Sequence, residues 1–112
     1  MPLHIYRVVV RGEFADLDPD VALDLRAHLD DHDLFRATYT KAGTFTYDDR
    51  LHAFSFRFEC RISSDDGPEA CAAEAQARAE ALATEYLEHR GITYKRLRST
   101  PTDMADMWRE DA

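Results

Sequence analysis

"HAFSFRFECRIS", residues 52–63, alternates along its length. Phe54, Phe56, Phe58, Cys60 and Ile62 share one parity, while Ser55, Arg57, Glu59 and Arg61 share the other. Successive side chains of a strand point to opposite faces, so the segment predicts a strand with one apolar and one charged face. The fold then depends on what the neighbouring segments supply to cover the phenylalanines.

Upstream, "LHIYRVVVRGEF" (3–14) is β-branched, aromatic and interrupted near its end by Gly12, which reads as a strand. "DLDPDVALDLRAHLDDHD" (16–33) offers Asp18 as an N-cap and Pro19 as the first helical residue. Val21, Ala22, Leu25 and Leu29 recur at helical spacing and predict a helix to about His32. "FRATYTKAGTFTYDD" (35–49) predicts a second strand with a bulge or bend at Ala42-Gly43, and "DDRL" (48–51) a turn into the opening segment. Downstream, residues 63–91 carry the signals of a long helix: Asp66 or Gly67 as cap, Pro68 and Glu69 at the start, Gly91 at the end. Eight alanines between 70 and 83 make one side of it thin, suited to close approach to a face crowded with phenylalanine. "ITYKRLRST" (92–100) predicts the last strand, with Pro101 as its stop.

The order β-α-β-β-α-β with right-handed crossovers predicts a ferredoxin-like α+β fold. Its four-stranded antiparallel sheet would be ordered 4-1-3-2, with both helices on one face. Phe54, Phe56 and Phe58 then lie beneath the helices with Tyr6, Val8 and Val10, joined by Phe45 if Tyr47 stands opposite His52. The open face carries Ile5, Arg7, Val9 and Arg11 on one central strand and Ser55, Arg57, Glu59 and Arg61 on the other, with Thr44 and Thr46 alongside. A single domain over 1–100 is expected, followed by a tail over 101–112 that packs on the body or on a second subunit. Met104, Met107 and Trp108 would share one helical turn of that tail.

The 112 residues are enough for one hydrophobic core, and 45% apolar with 32% charged is ordinary for a soluble domain. No apolar run approaches the roughly 18 residues that span a bilayer, and "MPLHIYRVVVRG" does not read as a secretion signal, so a cytoplasmic protein is expected. Cys60 and Cys71 fit that compartment as buried free thiols, without a disulfide or metal. The net charge of −8 is segregated. Residues 13–33 carry eight acids and one arginine, and residues 65–90 seven acids and two arginines, whereas the expected strands are basic.

The open face sorts the functions this topology serves. An RNA-recognition module stacks bases on outward aromatics of the central strands, but here that parity is Ser-Arg-Glu-Arg on an acidic protein, so no nucleic acid is expected. "VVVRGEF" faintly resembles acylphosphatase, yet the following "EFADLDPD" is acidic where that family cradles phosphate, and the chain contains no asparagine. A dimeric α+β barrel of cofactor-free oxygenase, isomerase or cyclase type would use Ile5, Val9 and Leu97 as pocket wall, with Tyr39, Tyr94 or a histidine as acid or base. His28 and His32 stand at i, i+4 as zinc ligands can, but no third ligand follows at suitable spacing, so no metal is expected. Arg7, Arg11, Arg57 and Arg61, on neighbouring strands with Glu59 among them, suit a carboxylate or phosphate held by bidentate donors.

"YRVVVRGEF", "HDLFRATYTKAGTFTYD", "FSFRFE" and "YKRLRSTPTDM" resemble, in the same order, segments of a family of small actinobacterial proteins catalogued only as a domain of unknown function. The resemblance implies a cytoplasmic single-domain protein and brings no activity, cofactor or catalytic residue. Its phrases include Tyr94, Leu97, Arg98, Thr100, Asp103 and Met104, which makes the last strand the place to look first. The expected protein is therefore a homodimeric binding module for a small anionic ligand or a protein partner, without cofactor and without membrane association. Arg7, Arg11, Arg57, Glu59, Arg61, Tyr94 and Arg98 are its candidate contacts, and a cofactor-independent enzyme using the same face is the alternative.

Overall fold

The structure is a computed structural model that describes residues 3–33 and 37–105. In chain order it contains β1 (Leu3–Phe14), α1 (Pro19–Ala27), a 3-10 turn (Leu29–His32), β2 (Thr44–Tyr47), β3 (Ala53–Ser63), α2 (Pro68–His89) and β4 (Tyr94–Asp103). The strands form one antiparallel sheet in the order β2-β3-β1-β4, so the chain is an α+β protein with the expected 4-1-3-2 arrangement. No helix among the described residues is long and apolar enough to cross a membrane.

The parity of residues 52–63 holds. Tyr6, Val8, Val10, Phe54, Phe56, Phe58, Cys60 and Ile62 are buried with Leu25 of α1 in one core. On α2, Cys71, Ala75, Ala79, Ala83 and Leu87 recur every fourth residue and are all buried. Their small side chains let the helix backbone come down onto the phenylalanines, as a thin helix face should. Both cysteines are free and buried, and burial pushes the Cys60 thiol up from its ordinary acidity.

α1 begins as expected, with the Asp18 carboxylate accepting the Asp20 N–H at 2.9 Å, but it ends at Ala27 rather than near His32. Asp30 and Asp31 would place negative charge at the carbonyl end of a longer helix, where the macrodipole opposes it. The backbone tightens there into the 3-10 turn instead. β2 is also shorter than expected. Between Thr40 and Thr44 the chain reverses: Thr40 donates its N–H to the Arg57 carbonyl and accepts the Glu59 N–H at 2.8 Å, forming a parallel bridge to Phe58. Gly43 makes the reversal possible with φ +89°, and a Cβ there would lie 2.3 Å from the Phe58 ring.

Tyr47 pairs with Phe54 rather than His52, because Leu51 turns into the core and lengthens the loop. The difference is two residues, which preserves parity. Phe45 therefore still faces inward, stacked on Phe56 at 4.7 Å between ring centroids. Pro101 does not stop β4, which runs on to Asp103 with Pro101 opposite Val8. The proline is tolerated because β4 is an edge strand and only one side of it must supply hydrogen bonds.

Candidate functional site

The register assembles the open face row by row. Thr46 pairs with Ser55, Ser55 with Arg11, and Arg11 with Arg98, so two hydroxyls and two guanidinium groups line up across all four strands. In the next row Thr44, Arg57, Val9 and Thr100 are neighbours; beyond it stand Glu59, Arg7 and Thr102, and then Arg61 opposite Ile5. Residues directly opposite in an antiparallel pair project to the same side, so Arg98 and Thr100 join the arginines of β1 and β3.

The first row borders a pocket of about 390 Å³ whose lining includes Arg11, Arg98, Ser55, Thr46, His52 and Glu13. Thr46 is buried, with its hydroxyl 2.8 Å from that of Ser55. Arg11 and Arg98 are exposed, and among the described residues neither has a carboxylate within 4.0 Å. Glu13, at the pocket's edge, is already engaged by Arg96 at 3.1 Å and lies 3.7 Å from the His52 ring. The hydrogen bond from Arg96 holds the Glu13 carboxyl below the usual carboxylate range, with the Arg96, His52 and Lys95 charges acting the same way. Tyr47 also borders the pocket, but it donates its hydroxyl to the Leu25 carbonyl, and burial followed by the charge of Asp24 pushes it up to about 12.

Farther along the face, Arg7 and Arg57 share one aromatic ring. The Arg7 guanidinium carbon lies 4.7 Å and that of Arg57 5.6 Å from the Tyr39 centroid. Arg57 also donates to the Ala37 carbonyl at 2.9 Å, so residues 37–40 lie against this part of the sheet. The buried Nε of Arg7 has no hydrogen-bond partner among the described residues. Glu59, opposite Arg7 in the register, has no cation within 4.0 Å among the described residues.

Of the residues singled out in the sequence, Arg7, Arg11, Arg57, Glu59, Arg61 and Arg98 therefore share one face. Tyr94 does not: it pairs with Phe14, and its ring meets Phe54 edge-on at 6.5 Å on the core side. Leu97 likewise packs against the core instead of lining the open face. His28 caps the end of α1, and His32 lies at the end of the 3-10 turn with Nδ1 2.9 Å from the Phe45 carbonyl, so the two imidazoles are not on one helix. No group of three or more metal-ligating side chains occurs among the described residues. Met104 is buried, its N–H donating to the Ile5 carbonyl at 2.9 Å, whereas Met107 and Trp108 lie outside the described residues. Sequence reasoning missed two features: the seat of Tyr39 between two arginines, and the engagement of Glu13 by Arg96.

These features define a small α+β domain with one sheet face closed by a helix and the other presenting arginines and hydroxyls. The chain belongs to the family described as "Family of unknown function (DUF6204)", whose model matches residues 1–111. No curated protein and no solved structure matches it.

Proposed function

We propose that the protein is a binding module for a small anionic ligand, a carboxylate or phosphate, held on the open sheet face at the row Thr46–Ser55–Arg11–Arg98. The observation that carries this reading is the direct opposition of Arg11 and Arg98 with no carboxylate among the described residues within 4.0 Å of either. Like charges directly opposite in a sheet are destabilising, and a shared anion converts that repulsion into two charge-assisted hydrogen-bonding partners. The Ser55 hydroxyl beside them adds a neutral donor.

The element order supports a ferredoxin-like topology for the fold. The composition, with only two lysines among fourteen basic residues, suits a cytoplasmic protein of a high-GC actinobacterium. Half-buried Ile5 and Val9 on the open face support association as a homodimer.

Thermal unfolding with added phosphate, at ionic strength matched with chloride, tests the site. Phosphate should raise Tm in the wild type, and Arg11→Ala or Arg98→Ala should abolish the rise while remaining folded. An equal rise in both variants, or none in the wild type, would overturn the assignment.

A further inference from the structure

We infer that the open face holds a second anionic group at Arg7 and Arg57, beside the Tyr39 ring, so that its ligand is an extended dianion anchored at both ends. This rests on the reading just given, with the first group at Arg11 and Arg98.

Two independent observations point to the second anchor. Among the described residues the buried Nε of Arg7 has no hydrogen-bond partner, an unusual condition for a charged donor. The Arg7 and Arg57 guanidinium groups are also drawn together by one ring, 4.7 and 5.6 Å from the Tyr39 centroid, and Arg57 is further fixed by the Ala37 carbonyl. Stacking on an aromatic face occupies the flat side of a guanidinium, so the acceptor would be met by the terminal N–H groups of Arg7 and by those of Arg57 that do not donate to Ala37. No carboxylate among the described residues lies within 4.0 Å of either arginine to fill that role.

Register sets the length of the ligand. Arg57 is two residues from Ser55 and Arg7 four from Arg11, so the anchors are separated by about 7–13 Å along the strands. A flexible chain with an anion at each end, dicarboxylate or bisphosphate, bridges that span, whereas a malonate-sized diacid does not. Glu59, opposite Arg7, is the one acid among the described residues on the far part of the face and weakens the second anchor by its charge.

Calorimetric titration of the full chain with butyrate, malonate, adipate and suberate at constant ionic strength tests the inference, and hexane-1,6-diyl bisphosphate decides whether phosphate outranks carboxylate. Linking two anchored groups makes the second contact intramolecular, so suberate should bind about tenfold tighter than butyrate, with malonate gaining nothing. Arg57→Gln and Arg7→Gln should remove the gain of suberate over butyrate. Glu59→Gln should enlarge it. Should Arg7→Gln impair folding, the more adaptable Arg57→Gln decides the matter alone. Equal binding of butyrate and suberate, or a gain indifferent to Arg57, would overturn the second anchor and leave the first standing. Butyrate and suberate binding unaffected by Arg11→Gln and Arg98→Gln would instead overturn the first.

Discussion

Each open-face arginine has an environment of its own, and the phenylalanines behind them decide whether that environment exists. Phe56 is fully buried, stacked on Phe45 and Phe58, so Phe56→Ala should cost about 3–5 kcal/mol in a denaturant titration; a near-neutral result would refute the core. Glu13 yields a pH dependence with a defined sign. Its folded-state acidity lies below the ordinary 4.5, so its stabilising contribution is complete above that value and is lost as pH falls through the folded value. Glu13→Gln should therefore flatten the acid limb of a Tm-against-pH curve, which an unchanged limb would contradict.

At the scale of elements, turns and bulges decide what alternation cannot. Gly43 combines a positive φ with contact against the Phe58 ring, so Gly43→Ala should destabilise by about 1–3 kcal/mol or more through overpacking, measured by equilibrium unfolding. Wild-type stability in that variant would mean the Thr40–Thr44 reversal is misplaced. The facing of β1 and β3 was legible because Phe54, Phe56 and Phe58 stand against Arg57 and Arg61 without a break in period. The facing of β4 was not. Tyr94 and Arg98 have the same parity and would share a face in a regular strand, but a one-residue register shift intervenes, with Arg96 in the left-handed region at φ +57°. That bulge turns Tyr94 inward and leaves Arg98 out, and nothing in "YKRLRST" marks it beforehand. The end of α1 was illegible for a related reason: Leu29 continued the apolar period while Asp30 and Asp31 opposed helical continuation.

For the molecule as a whole, net charge and local charge have opposite signs: an acidic chain of −8 presents five of its twelve arginines on one sheet face. Anion affinity at that face should fall as salt rises, because the Debye length shrinks to about 8 Å at physiological ionic strength. Sedimentation should return about twice the chain mass of 12.9 kDa if two copies associate, and a monomer at all concentrations would remove the dimer without touching the anion site. The central claim is the placement of an anion over Arg11 and Arg98. Amide chemical-shift mapping during a phosphate titration reads it most directly. The expected shifts centre on Arg11, Ser55 and Arg98 and vanish in the Arg11→Gln, Arg98→Gln double variant; shifts centred on α2, or unchanged in the double variant, would contradict it.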